Sequence, residues 1–432
     1  MSTFKVVHLN TSLLGGAGRA VNRLHIALLK NDVQSSLLNF DSFLDFNQKI
    51  YKKKITFFSF VPLRLKTFLQ RQKNNFLHCF KKYLGFQILG YRERRIGLFN
   101  KIYGELDCEF ASLPFSEYNI LNNPLVKEAD IIHLHWVAGM VDYESFFKFN
   151  DKPIVWTLHD MNPFQGIFHY KDDELRNFVI SGKLDEKLRK LKETAIGKRK
   201  SNLYVVAPSN WLLFEAKKSK AFSDINGFCI SNTVDTILFT FQKQNSFKKN
   251  NNIPDNNFIF LFAANSVKIH RKGFDLLIES LLKIKFTSFT LLVLGANAFT
   301  FPSSLNVIYL GIENEDNNLI NYYSVSDAFI LPSREDNLPN VLLESLACGT
   351  PVIGFSVGGI KEHILDYKTG LLAKEINAQA LSQVIEEFCI NKHRFDREYI
   401  KNYAIENFSE RLIANKYKNL YNDIINKDLL NG

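Results

Sequence analysis

Ala328-Phe329-Ile330-Leu331-Pro332-Ser333-Arg334-Glu335-Asp336-Asn337-Leu338-Pro339-Asn340-Val341-Leu342-Leu343-Glu344 reads as a strand, a tight loop and the start of a helix. Ala328–Leu331 and the later run Pro351–Phe355 are unbroken apolar stretches, the mark of parallel strands buried on both faces. Two carboxylates bracket the helix between them: Asp336 stands before its first turn and Glu344 two turns further along. Peptide N–H groups around Leu338 and Asn340 point at whatever precedes the helix, a natural seat for a phosphate. An anion seat with carboxylates at its mouth and further in suits a ligand carrying both phosphates and hydroxyls, such as a nucleotide-sugar.

Strand and helix patterns alternate on both sides of this stretch, which predicts an α/β protein with parallel sheets. Phe4–Leu9, Ser36–Phe40, Asp130–His133, Ile154–Leu158 and Leu203–Val206 are strand candidates in the first half. Phe258–Ala264, Phe289–Leu294, Val307–Leu310, Ala328–Leu331 and Val352–Phe355 are those of the second. Asn232-Thr233-Val234-Asp235 and the Asn- and Lys-rich stretch from Gln242 to Asn257 separate the halves. The expected division is residues 1–232 and 233–410, with an amphipathic tail helix at 411–432 carrying Leu412, Ile413, Tyr417, Leu420, Tyr421 and Ile424 on one stripe.

Polar clusters fall where candidate strands end, and open α/β sheets bind ligands there. Gly15-Gly16-Ala17-Gly18 opens the first helix and lets backbone approach a ligand; such a turn also serves plain strand–helix packing. It does not complete G-x-G-x-x-G, because the last place falls on Val21, so a dinucleotide site using Asp41 is disfavoured. Lys268, His270, Arg271 and Lys272 suit a diphosphate leaving group, or form a solvated charge run. His133, His135 and His159, with Asp130 and Asp160, carry spacings too undemanding to imply a metal, and none is expected. Gly358-Gly359 before a predicted helix, with Glu362 in its first turn, reads as structural.

The run Pro332–Glu344, then Ala347-Cys348-Gly349-Thr350-Pro351-Val352-Ile353 and Gly358-Gly359-Ile360-Lys361-Glu362, resembles the donor-site signature of retaining nucleotide-sugar glycosyltransferases of family 4, group 1 type, written E-x7-E. The resemblance implies the GT-B fold, two Rossmann-like parallel-sheet domains facing a central cleft, with the acceptor domain first, the donor domain second and the tail helix crossing back. Asp336 aligns with the first acid, because seven residues to Glu344 keep the helix register; Glu335, with an eight-residue gap, is the alternative. By resemblance Asp336, His159 and Asp160 form the catalytic set. Donor binding falls to Gly15, Gly16, Arg271, Lys272, Asn337, Leu338 and Glu344, and the loop Gln165–Tyr170 addresses the acceptor. The implied chemistry is a hexosyl transfer in cell-surface polysaccharide synthesis with retention, by front-face attack with the leaving phosphate as proton acceptor. A nucleotide-sugar 2-epimerase of the same fold and an inert carbohydrate-binding relative are the alternatives.

Composition agrees with a globular protein: 46% of residues are hydrophobic and 23% charged over 432 positions. No apolar run of about 18 residues is present to span a membrane. The five scattered cysteines form no C-x-x-C pair, and a cytoplasmic setting is expected. Charge is uneven: from Tyr51 to Gly104, 13 Lys and Arg face one acid, Glu93, giving +12 where the whole chain is +10. Apolar residues recur through this segment at mostly three- or four-residue steps, predicting a basic amphipathic helical insertion at about 51–104. Such an insertion docks an anionic membrane surface, or packs on its own domain with a solvated basic face. No nucleic-acid module accompanies the charge, so the expected partners are a nucleotide-sugar, a glycan or lipid-linked acceptor and the inner membrane face, with no cofactor.

Overall fold

The computed structural model describes residues 4–40, 88–243, 247–285, 288–296 and 300–431. The expected basic insertion therefore falls outside the described residues from 51 to 87, as does Asp41. Its remainder forms a helix, Ile88–Ile102, packed on the helix Phe178–Gly197.

Two six-stranded sheets, parallel throughout, organise the chain. The first contains β1 (Lys5–Asn10), β2 (Gln34–Asn39), β3 (Ile131–Leu134), β4 (Ile154–Thr157), β5 (Leu203–Ala207) and β6 (Asn226–Cys229), in the order β2-β1-β3-β4-β5-β6. The second contains β7 (Phe258–Ser266), β8 (Phe289–Ala296), β9 (Val307–Gly311), β10 (Ala328–Leu331), β11 (Val352–Phe355) and β12 (Gly370–Ala373), in the order β12-β11-β10-β7-β8-β9. Ten of these strands lie within a few residues of their predicted places. The edge strands β6 and β12 were not predicted: Asn-Gly-Phe-Cys is mostly exposed, and Gly370 opens the other on a residue that weakens strands.

Each sheet is covered on both faces, which is why its strands are apolar at successive rather than alternate positions. In the first domain one face buries Leu9, Ile132, Trp156 and Val205. The other buries Val6, Ile131, Val155 and Val206 against the helices Gly15–Lys30 and Glu410–Asn431. The tail helix supplies Ile413, Tyr417, Leu420, Tyr421 and Ile424 to that second face, although it follows the second sheet in the chain. Two equivalent layers cover β7–β12.

Strand order reverses between β1 and β3 in one sheet and between β7 and β10 in the other. Loops leaving the carboxyl ends of adjacent strands diverge at such a point and open a crevice. The Gly15–Gly18 turn follows β1, His135 follows β3, Arg271 and Lys272 follow β7, and Asp336 follows β10. No helix of the described residues is long and apolar enough to cross a membrane.

Candidate active site

The two crevices face one another across a cavity of about 580 Å³. Gly15, Gly16, His159, Asp160, Arg271, Lys272, Asp336, Asn337, Leu338 and Glu344 all line it. The topology thus gathers the predicted catalytic and donor-binding residues into one cavity from segments more than 300 positions apart.

Asp336 is buried where the loop after β10 turns toward the helix Asn340–Ala347. Its Oδ2 accepts from Lys272 Nζ at 2.6 Å, and its Oδ1 lies 3.1 Å from the Arg271 guanidinium. Burial pushes this carboxyl up, but the two cations and the Asn337 N–H outweigh it and hold Asp336 below the ordinary range. Glu335 turns the other way. It accepts from the backbone N–H groups of Lys171 and Asp172, capping a helix start of the first domain, and it does not line the cavity. Of the two acids, Asp336 is the one that lines the cavity.

The first domain supplies Glu344 with partners. Arg19 donates to its Oε1 at 3.2 Å, while Arg23 stands 2.9 Å away at an angle that makes an ion pair rather than a hydrogen bond. Tyr323 donates to the other oxygen at 3.1 Å. Burial raises this carboxyl too, and Arg23, Arg19 and Tyr323 bring it down. Sequence reading missed both arginines. Their spacing of four places them on one face of the first helix, beside the glycine turn, which is the signal that was available.

The glycine turn combines lining of the cavity with close packing. A Cβ on Gly16 would meet nothing, whereas one on Gly18 would lie 2.3 Å from the Leu13 backbone. Gly15 has φ +76°, the left-handed region. Gly15 and Gly18 shape the turn, and Gly16 contributes its carbonyl, which accepts from Asn340 Nδ2 at 2.9 Å across the cleft. Asn337 lines the cavity, but its amide is engaged by Ser209 at 2.6 Å and by the His159 carbonyl at 3.3 Å. Asn232 donates to the Leu338 carbonyl at 3.1 Å.

Gly358-Gly359 precedes a single 3-10 turn, Ile360–Glu362, rather than the predicted helix. The Glu362 carboxylate accepts from the backbone N–H groups of Asn210 and Trp211, so it caps a helix in the opposite domain. The Gly pair packs under the site loop: a Cβ on Gly358 would lie 1.8 Å from the Asp336 carbonyl. The loop Gln165–Tyr170, expected to address the acceptor, meets the cavity only at one end. All its residues are buried, and only His169 and Tyr170 reach the cavity. His169 holds Asp160 Oδ2 at 2.6 Å. The Tyr170 ring lies under the Arg271 guanidinium at 4.0 Å, and Arg271 also pairs with Glu109 of the first domain.

Behind this wall His8, His133 and His135 are fully or almost fully buried, each bringing a ring nitrogen within 4.8 Å of the others. Both nitrogens of His133 have hydroxyl partners, Tyr421 at 2.7 Å and Thr157 at 2.8 Å. Burial pushes His8 down to about 3 and His133 and His135 well below the usual imidazole range. They are core groups kept neutral by burial: His8 bonds His135, and His133 bonds Tyr421 of the tail helix.

Residues 243–407 match the profile of the family Glycosyl transferases group 1. A Bacillus anthracis protein, N-acetyl-alpha-D-glucosaminyl L-malate synthase, is 32% identical over 127 residues, 28% of this chain and 32% of that one. A Campylobacter jejuni protein, N,N'-diacetylbacillosaminyl-diphospho-undecaprenol alpha-1,3-N-acetylgalactosaminyltransferase, is 27% identical over 46% of this chain and 55% of that one. The chain thus spans about a third to just over half of the length of these curated relatives. Among solved structures, sucrose-phosphate synthase from Thermosynechococcus elongatus superposes with a TM-score of 0.62 at 16% identity, covering 98% of this chain and all of that one. HepE from Anabaena, solved with UDP-glucose, gives 0.57 at 16% identity, covering 97% of this chain and all of that one. Likeness at this level establishes the fold, GT-B.

Proposed function

Because residues 243–407 match the profile of the group 1 glycosyl transferases, we propose that the protein moves a sugar, with retention of anomeric configuration, from a nucleotide-sugar to a hydroxyl of a glycan or lipid-linked glycan. The observation that carries this reading is the cavity between the domains, with a helix start, paired cations and two buried carboxylates converging on it. Glu344 would accept from the ribose hydroxyls. Lys272, Arg271 and the first N–H groups of the helix Asn340–Ala347 would take the diphosphate and stabilise its charge as it leaves. Arg19 has a third of its side chain exposed and is free to turn from Glu344 to a phosphate while Arg23 keeps the carboxylate paired. Asp336 would hold sugar hydroxyls, with His159 on the opposite wall. Among the described residues lining the cavity none is placed as a convincing nucleophile, and front-face attack with the departing phosphate taking the proton fits that arrangement.

The name of the Campylobacter relative implies a lipid-linked substrate for that protein, and the HepE complex makes uridine diphosphate sugars the first donors to try. The test is thermal melting of the purified protein with a panel of nucleotide-sugars. A true donor at a hundred times its Kd stabilises by about 2.7 kcal/mol. If no nucleotide-sugar or nucleoside diphosphate raises the melting temperature, the reading fails.

A further inference from the structure

Three imidazoles form a chain that runs from the core of the first domain to the cavity. His8 on β1, His135 just past β3 and His159 just past β4 are neighbours because those strands lie side by side. His8 Nδ1 is 2.9 Å from His135 Nε2, and His135 Nδ1 is 3.1 Å from His159 Nε2. The two ends differ. His8 Nε2 is buried with no hydrogen-bond partner, whereas His159 lines the cavity and is only partly buried. Burial keeps all three rings uncharged: His8 is pushed down to about 3, His135 well below its usual range, and His159 to about 4, with Asp160 opposing only part of the shift.

A neutral imidazole has one N–H and one lone pair. His135 therefore donates on one side and accepts on the other, and the whole chain runs in one of two directions. If the protons pointed toward the core, His159 Nε2–H would donate to His135 and His135 Nε2–H to His8. His8 would then carry its proton on Nε2, a donor sealed in the core with no acceptor. In the other direction His8 Nδ1–H donates to His135 and His135 Nδ1–H donates to His159. Only a lone pair is then left unpaired at His8 Nε2. Buried N–H groups without an acceptor are the rarer defect, and leaving a buried donor unpaired carries its full desolvation cost.

We infer that His8 and His135 fix the tautomer of His159, so that it presents Nδ1–H to the cavity as a standing hydrogen-bond donor. His159 then recognises an oxygen lone pair on its ligand and has no basic nitrogen to offer there, because Nε2 is occupied by His135. His8 and His135 are positioning residues that touch no ligand. With the transferase reading as premise, the oxygen met by His159 belongs to the donor sugar or to its phosphate, and the acceptor hydroxyl must lose its proton to another group.

The tautomer is measurable in the free protein. Histidine labelled with ¹⁵N in both ring positions, observed by long-range ¹H–¹⁵N correlation at pH 7, reports which nitrogen carries the proton, and the His159→Gln spectrum assigns the ring. Nδ1–H at both His135 and His159 is expected; Nε2–H at either overturns the inference. His135→Phe removes the donor to His159 Nε2, and His159 should then populate both tautomers; an unchanged Nδ1–H signal in that folded variant would show that the chain does not set it. If His135→Phe fails to fold, the wild-type spectrum alone decides. One equivalent of Zn²⁺ shifting His8, His133 and His135 together would also overturn it, because the lone pairs would then converge on a cation. None of these readings depends on donor binding. A protein that ignores nucleotide-sugars yet shows Nδ1–H at His159 would lose the transferase reading and keep this one.

Discussion

Asp336 and Glu344 are buried carboxylates, each with two cationic neighbours, and their value to a ligand depends on those neighbours. Removing one partner of such a set leaves an uncompensated charge, so substitutions should act strongly. Lys272→Ala and Glu344→Ala should each weaken nucleotide-sugar binding by about 1.5–3 kcal/mol, the worth of a hydrogen bond to a charged group. Calorimetry on folded variants checks this, and unchanged affinity in both would remove the donor assignment. Asp336→Asn should lower turnover far more than nucleotide affinity, because its contacts serve the sugar as the bond breaks. Glu335→Gln should keep most turnover, since that side chain caps a helix across the cleft rather than facing the cavity. Full activity in Asp336→Asn together with loss in Glu335→Gln would mean the register is off by one.

At the scale of elements, the turn after β1 and the histidines on neighbouring strands show backbone geometry choosing residues. Gly18→Ala presses a methyl group against the Leu13 backbone and should cost about 1–3 kcal/mol, as overpacking does. Gly16→Ala meets nothing and should leave the melting temperature unchanged or slightly raised. Equal effects from the two would refute this account of the turn. The buried imidazoles make a second prediction, about pH. His8, His133 and His135 have folded pKa values below their unfolded ones, so the unfolded chain takes up protons that the folded one refuses. Stability is then complete above about pH 6.5 and falls below it, by up to about 1.4 kcal/mol per pH unit for each ring. The charged neighbours are Asp160 beside His159 and His25 beside His8. A melting temperature flat from pH 7.5 to pH 5.5 would contradict the neutral core, and His133→Gln should reduce the slope.

Across the whole molecule, the domains close on one another through polar groups. Arg19 and Arg23 reach Glu344, Glu109 reaches Arg271, and Glu335 and Glu362 cap helices of the opposite domain. The basic segment also belongs to this scale. Arg92 is already paired with Asp142 at 3.1 Å and Arg95 is buried, so neither adds to a free basic surface. Lys52, Lys53, Lys54, Lys81 and Lys82 lie outside the described residues. We propose that they draw the protein to an anionic membrane surface, where each Lys or Arg is worth about 1 kcal/mol. Sedimentation with phosphatidylserine vesicles at low salt should carry the protein down, and about 1 M salt or charge reversal of those five lysines should release it. A wild type that stays in solution at low salt makes the segment a packing insertion only, without touching the donor site.

The sequence by itself determined the parallel α/β class, the order of ten strands and the acids of the helix Asn340–Ala347, because these depend on short-range pattern. Burial on both faces writes unbroken apolar runs, and a helix start writes its own loop chemistry. The edge strands β6 and β12 left little trace, since their pairing comes from one neighbour and their residues are ordinary. Only the tertiary structure decided which charges meet. Glu344 lies 325 positions from Arg19, and Arg271 lies 162 from Glu109. No local pattern records such pairs, because they form only when two sheets present the carboxyl ends of their strands to one cleft. The same holds for His8, His135 and His159, which strand order alone brings within hydrogen-bonding distance.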